Sequence, residues 1–239
     1  MIYVSLISYT PDPERIIAAA ARVSTSPVNT KEISKQLTPE DIDRLFTHLL
    51  TSGHLSTFEH ASFTFAIEGI SRVTSHQLVR HRMASFTQQS QRYLSLKEAD
   101  YITPTSISAR TEFESKYHDM VRDCHRLYIN MLDAGIPAED ARYVLPSAMV
   151  TRLVMTMNAR ELLHACSLRL CLRAQWEIVE LFELIKEEVE KVAPRLGAEL
   201  KPKCYHLGYC DEAKSCGIFP TAKEMANEKE RKEKGVNIT

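Results

Sequence analysis

The sequence predicts an α+β fold, a single domain in which long helices flank a central, mostly antiparallel sheet. Three observations carry that expectation. Strand-like stretches are short, non-adjacent and interleaved with longer runs of helical apolar spacing. The 239 residues, 44 % of them hydrophobic, suffice for a buried core without disulfide or metal staples. The seven glycines fall in neither GxGxxG nor GxxxxGK[ST], so neither a Rossmann site nor a phosphate loop is indicated. The folded domain is expected over 1–220 and a charged tail over 221–239.

Residues 2–9 read as a strand, and Thr10-Pro11-Asp12-Pro13 opens a helix to about Arg22. Thr38 can cap the next helix, with Pro39 in its first turn, Asp41 completing a capping box, Leu45, Leu49 and Leu50 as the apolar stripe and Gly53 closing it. Ser62 to Ile67 alternates Phe63, Phe65 and Ile67 with polar or small residues, a strand with one buried face. Ser71 caps a helix expected to run through His76, Gln77, Arg80 and His81. A polar stretch, Ser85 to Arg92, and a short strand near Tyr101 precede a long amphipathic helix from about Arg110 to Ala134, closed by Gly135-Ile136-Pro137. Ala138 to Val144 is a short helix, Met149 to Met157 a strand, and Asn158 caps a helix through Leu170. Ala174 to Val192 is another helix, with Trp176, Val179, Phe182 and Ile185 on its inner side. Lys223 to Lys234 carries five Lys/Arg and four Asp/Glu, a solvated helix or a frayed tail.

Thirty basic against 31 acidic residues give a formal charge of −1, which disfavours general nucleic-acid or membrane-surface binding. The longest aliphatic run, Ile16 to Ala21, is too short to span a bilayer, and the N-terminus lacks a secretory pattern. A cytoplasmic protein is expected. The charge is unevenly spread, however. Gly69 to Lys97 holds Arg72, Arg80, Arg82, Arg92 and Lys97 with no acid, and Ala141 to Trp176 holds five arginines and only Glu161. Such windows suit a small polyanionic ligand; arginines paired with distant carboxylates are the alternative. Arg152 and Arg173 are assigned to that structural group.

Cys124, Cys166 and Cys171 fall in apolar helical contexts and are expected to be buried. Cys204, Cys210 and Cys216, with His206 among them, have five-residue gaps rather than the usual zinc spacing. Free thiols are the preferred reading there and a tetrahedral zinc site the lesser one. No metal is assigned.

The most informative segment is Arg80-His81-Arg82-Met83-Ala84-Ser85-Phe86-Thr87-Gln88-Gln89-Ser90-Gln91-Arg92. Guanidiniums, an imidazole, hydroxyls and carboxamides with no competing acid suit phosphate oxygens and the edge of a heterocycle. On a helix, Gln77, Arg80 and His81 would share a face, with Arg82 about 200° from Arg80. One short helix would then serve two ligands. Arg92 and Arg142, forked donors without a local acid, are the phosphate candidates. Ser90 is read as a hydrogen-bond donor rather than a nucleophile, because no base follows it at helical spacing.

This segment resembles the RHRxxSxxxxSxR signature of the flavin-dependent thymidylate synthases, matching at Arg80, His81, Arg82, Ser85, Ser90 and Arg92. Further stretches follow in family order: Gly53-His54 with Ser56 and Phe58-Glu59-His60, then 141–146, Asn158-Ala159-Arg160-Glu161-Leu162, Leu168-Arg169 and Ala174-Gln175-Trp176-Glu177. The resemblance spans about residues 1–195. It implies reductive methylation of dUMP to dTMP, with methylenetetrahydrofolate as carbon donor, FAD as hydride carrier and NADPH as reductant. Carried over by position, it implies FAD contacts at Ser56, Arg80, His81, Arg82, Gln88, Asn158, Arg160 and His164. The implied dUMP contacts are Gln77, Arg80, Gln88, Gln89, Ser90, Gln91, Arg92, Arg142 and Arg169, with His54 on the folate and flavin side. Many relatives have Glu where this chain has Gln88, which removes any acid–base duty there.

Arg169 is the catalytic candidate, because methylating C5 of uracil builds negative charge on the ring oxygens, and a fixed guanidinium lowers that barrier. Within one helix, Arg160 and His164 share a face while Arg169 lies about half a turn opposed. The resemblance implies a homotetramer with shared sites, which fits this opposition. For His54 and His60 the bland reading is carbonyl capping at a helix end; Trp176 and Phe182 are core by spacing. The rivals in function are an RNA uridine methylase and a nucleotide sensor that keeps the arginines without chemistry.

Overall fold

The computed structural model describes residues 1–93, 98 and 100–233; Lys97 and Lys234, members of the charge patterns above, lie outside the described residues. The elements in order are β1 (Tyr3–Tyr9), α1 (Pro13–Val23), α2 (Thr30–Gln36), α3 (Pro39–Thr51), a 3-10 segment (Leu55–His60), β2 (Ser62–Ser71), α4 (Arg72–Leu78) and β3 (Ala84–Gln88). There follow α5 (Thr105–Ser108), α6 (Thr111–Asp133), α7 (Ala138–Ala141), a 3-10 turn (Arg142–Val144) and β4 (Val150–Asn158). The chain closes with α8 (Ala159–Arg169), α9 (Trp176–Val192), α10 (Pro194–Glu199), α11 (Lys203–Leu207) and α12 (Ala222–Glu233). The expected α+β class is present, with a four-stranded antiparallel sheet. None of the described helices is long and apolar enough to cross a membrane.

The chain divides into two compact units, the first comprising Met1–Ser8 and Thr64–Met157 and the second Tyr9–Phe63 and Asn158–Thr239. Unit one carries the sheet, in the order β1-β2-β4-β3. Alternate residues of β2 and β4, among them Phe65, Ile67, Leu153, Met155 and Met157, are buried, the period-two pattern of a sheet with one apolar face. Gly69 has φ +76°, and a Cβ there would lie 2.3 Å from the Met1 carbonyl oxygen; only glycine lets the N-terminus approach β2 this closely. β3 falls where the sequence suggested only a polar stretch. It pairs antiparallel with β4, from Ala84 opposite Met157 to Gln88 opposite Leu153. Helix α6 has the expected extent and packs against α5, α7 and the following 3-10 turn.

Unit two is helical; the caps of α3 and α8 fall where the sequence placed them, and Gln175 adds one for α9. Thr38 and Asp41 form the capping box of α3, while Asn158 and Gln175 cap α8 and α9 through their side-chain oxygens. Glu14, buried on α1, accepts the N–H groups of Arg195 (2.6 Å) and Leu196 (3.2 Å) at the start of α10, and its other oxygen accepts the Arg195 guanidinium at 2.8 Å. One carboxylate thereby satisfies two helix-end donors and neutralises a cation. Trp176 departs from expectation: it is the first residue of α9 and 43 % exposed, and the buried face runs through Ile178, Leu181, Phe182, Ile185 and Val189. Val179 is half-buried. Of the apolar-context cysteines only Cys166 is buried; Cys124 and Cys171 are half-buried. Burial raises the Cys204 thiol pKa, and the nearby Cys171, Cys210 and Cys216 add to that rise.

Candidate active site

In unit one, Ser71 ends β2 and caps α4, its hydroxyl oxygen accepting the Thr74 N–H at 3.1 Å. The helix stops at Leu78, short of the expected His81. Two tighter bonds, Arg80 N–H to Gln77 O at 3.3 Å and His81 N–H to Leu78 O at 3.1 Å, turn the chain toward β3. Pairing of β3 with β4 from Ala84 onward overrides the helical tendency of the segment. The helical-face argument for Gln77, Arg80 and His81 therefore fails. Instead, His81 is buried at 4 % exposure, with the exposed Arg80 and Arg82 on either side of it in sequence. Among the described residues, no ion pair engages Arg80 or Arg82.

Gln88, at the end of β3, donates from Nε2 to Thr151 Oγ1 at 3.1 Å. Gln89, Ser90 and Gln91 follow, all half-buried, and Ser90 Oγ accepts the Arg92 N–H at 3.1 Å. Arg72 Nη1 reaches the Gln89 carbonyl at 3.5 Å. Burial lowers the Arg72 pKa, and the like charge of Arg142 lowers it further. Arg142 is fixed by its Nε donating to the Glu139 carbonyl at 3.0 Å. Two half-buried guanidiniums thus face each other's charge, an arrangement that an anion would relieve.

Arg92 does not share their freedom. Its guanidinium pairs with Glu139 and stands over the Tyr93 ring at 5.2 Å, so the expectation of no acid nearby is corrected by a carboxylate 47 residues away in the chain. A cavity of about 310 Å³ is lined by Gln88, Gln89, Glu68 and Arg152, among others. Arg152 lines this cavity, and no ion pair engages it among the described residues. Arg72 is the cation that sequence reasoning left out of the site; the acid-free window contained it, but nothing singled it out.

In unit two, the Asn158 side-chain oxygen accepts the Glu161 N–H at 2.9 Å to start α8, and the Ala159 N–H bonds the Ala61 carbonyl at 2.8 Å. That bond ties α8 to the 3-10 segment bearing Ser56 and Glu59. Arg160 is exposed and pairs with Glu59, so here too a carboxylate engages a predicted ligand contact. His164 is exposed, while Arg169, at the end of the same unbroken helix, is half-buried. Burial lowers the Arg169 pKa. Ser56 is exposed. His54 makes no side-chain cap; its ring stacks on His48 with centroids 6.4 Å apart. Arg173 has the expected structural role, near Glu212 at 3.9 Å and donating to the Lys214 carbonyl at 3.0 Å.

Residues 5–195 match the family described as thymidylate synthase complementing protein. The chain belongs to that family. It is 42 % identical over 228 residues to the flavin-dependent thymidylate synthase of Geobacter sulfurreducens, spanning 94 % of this chain and 98 % of that protein. To the flavin-dependent thymidylate synthase of Pyrococcus abyssi it is 44 % identical over 220 residues, 89 % of this chain and 90 % of the relative. Among solved structures, it resembles a UMP/dUMP methylase, PolB, from Streptomyces cacaoi bound with 5-Br dUMP. That likeness has a TM-score of 0.76 at 27 % identity and covers 83 % of this chain and 94 % of PolB.

The donors present fit a flavin dinucleotide. Its pyrophosphate calls for cations without competing carboxylates, which Arg80 and Arg82 supply. Asn158 uses one lone pair of its side-chain oxygen on the cap, which leaves its amide N–H groups and the second lone pair for a ligand.

Proposed function

We infer that this chain methylates dUMP to dTMP, with methylenetetrahydrofolate as carbon donor, FAD as hydride carrier and NADPH as reductant. The observation that carries the reading is Arg72, which reaches the Gln89 carbonyl and feels the like charge of Arg142. Guanidiniums that pair with no carboxylate among the described residues, with the carboxamides of Gln88 and Gln89 in the adjoining stretch, match a nucleotide monophosphate, whose dianion and base edge need both chemistries.

Arg142 and Arg72 hold the phosphate, with Arg92 joining when it exchanges Glu139 for substrate. Gln77, Arg80, Gln88, Gln89, Ser90 and Gln91 supply hydrogen bonds to the nucleotide. By their positions in the family signature, Ser56, Arg80, His81, Arg82, Gln88, Asn158, Arg160 and His164 are the FAD contacts, with His54 on the folate side. Bound FAD supplies the hydride that completes the methyl group. Arg169 is the catalytic residue: its guanidinium, still cationic at neutral pH despite its lowered pKa, stabilises the charge that builds on the uracil oxygens during attack from C5. Because Arg160 and Arg169 project from opposed sides of α8, we place the sites between subunits of a homotetramer. Residues 1–220 carry the catalytic domain, 221–239 form a tail outside it, and the enzyme works in the cytoplasm.

The test is dUMP-dependent NADPH oxidation by the purified flavoprotein with methylenetetrahydrofolate, followed by dTMP formation. Flavin uptake without dTMP contradicts the reading, and a colourless protein that binds dUMP favours the sensor. Mixing Arg160→Ala with Arg169→Ala subunits should restore activity to an otherwise inactive pair; no recovery despite demonstrated exchange excludes shared sites.

A further inference from the structure

The end of unit two contains a segment with almost no core of its own. From Lys203 to Thr221 only Cys210 is buried, and regular structure is limited to α11 and the isolated bridge between Cys210 and Thr221. Exposed side chains cannot offset the entropy of ordering such a stretch, and long loops without secondary structure are uncommon in compact folds. What the segment does carry is thiols. Cys204, Cys210 and Cys216 line one cavity of about 70 Å³, and a fourth, Cys171, joins them from the turn after α8. His206, grouped with these thiols in the sequence, is not among the cavity's lining; its Nδ1 lies 3.8 Å from Glu199.

We propose that Cys171, Cys204, Cys210 and Cys216 bind one zinc ion as a structural four-thiolate site. Four sulfur donors around a small cavity are the ligand set that tetrahedral zinc prefers. Independent contacts already bring the ligand-bearing segments together. Arg173, beside Cys171 in the chain, donates to the Lys214 carbonyl at 3.0 Å, Tyr205 meets Phe219 edge-on at 5.2 Å, and Cys210 N–H bonds the Pro220 carbonyl at 2.7 Å. Among the described residues no three His, Cys, Asp or Glu side chains stand grouped to hold a metal ion, so the site requires the four thiols to turn toward one another when zinc binds. Four S–H bonds give way to four Zn–S bonds and the protons leave to solvent. The zinc tetrathiolate carries a net charge of −2; Arg173 and Lys203 line the same cavity, each beside a carboxylate, Glu212 and Asp211 respectively. The site stands independently of the dUMP reading.

The experiment is elemental analysis of the full chain prepared with zinc ion as the only added metal, then desalted. The expected result is about one zinc per chain, falling at least about tenfold in Cys204→Ser and in Cys216→Ser, and unchanged in the control Cys124→Ser on α6. Cys216 is exposed, so that variant spares the core, and a chelator should lower the thermal midpoint of the unsubstituted chain but not of Cys216→Ser. Less than about a tenth of a zinc per chain overturns the proposal. So does iron with sulfide in its place, or loss of these thiols to disulfides in the denatured, chelator-treated protein.

Discussion

Most arginines of both units stand beside carboxylates, as Arg92 does beside Glu139 in unit one, but Arg72 and Arg142 of unit one do not among the described residues. In unit two, Arg195 is held by Glu14 and Asp43, Arg160 by Glu59, and Arg44 and Arg22 by Asp41. In unit one, burial lowers the Arg72 pKa and the like charge of Arg142 lowers it further. One residue type thus serves two ends: a cation beside a carboxylate helps fix the fold, whereas a cation beside a cation is retained at a cost to the fold and points to an outside anion. Arg169, also in unit two, is half-buried at the end of α8, and burial lowers its pKa.

The largest effect is expected at Arg169. Arg169→Ala should lower kcat by at least about 100-fold while flavin stays bound; unchanged turnover with the fold intact would remove its role. Next come Arg142→Gln and Arg72→Gln, each expected to raise the KM for dUMP about 30-fold with no loss of thermal stability, because each relieves a repulsion. A lowered Tm with unchanged KM would return them to the structural class. Arg195→Ala should do the reverse, costing about 1.5 kcal/mol in denaturant unfolding, since Glu14 keeps only its two backbone donors, and leaving KM alone.

The smallest effect belongs to the α3 cap. Thr38→Ala should cost about 1 kcal/mol at neutral pH. The Thr38 backbone N–H is the main cause holding the Asp41 carboxyl below its ordinary 3.8, so Asp41's contribution to stability is present above that pH and lost as pH falls through the depressed value. Asp41→Asn should therefore destabilise the protein at pH 7 and make little difference at about pH 2.

Elements marked by local chemistry were legible in the sequence: the Thr38–Asp41 capping box, Ser71 before α4, Asn158 before α8, and Gly135 after α6. β3 was not, because its exposed Ser85 and Thr87 flank a single large apolar residue, Phe86, and its identity comes from pairing with β4. The end of α4 carries no glycine or proline and is likewise set by that pairing. At the candidate site the acid-free windows correctly located the cations, but not which of them meet carboxylates. Arg92 finds Glu139 across 47 residues and Arg160 finds Glu59 across 101, and a window along the chain holds no such information. The cysteine cluster shows the same limit: His206 is near the three thiols in sequence, whereas Cys171 lines their cavity and His206 does not.

The central claim is that the arginines of unit one left without carboxylate partners exist for the phosphate of a nucleotide. The most direct measurement compares the affinity of the flavoprotein for dUMP with that for deoxyuridine, in the unsubstituted chain and in Arg72→Gln and Arg142→Gln. The account predicts a preference for dUMP of at least about 100-fold that each substitution cuts by tenfold or more. Equal affinity for the two compounds, or a preference that survives both substitutions, would contradict it.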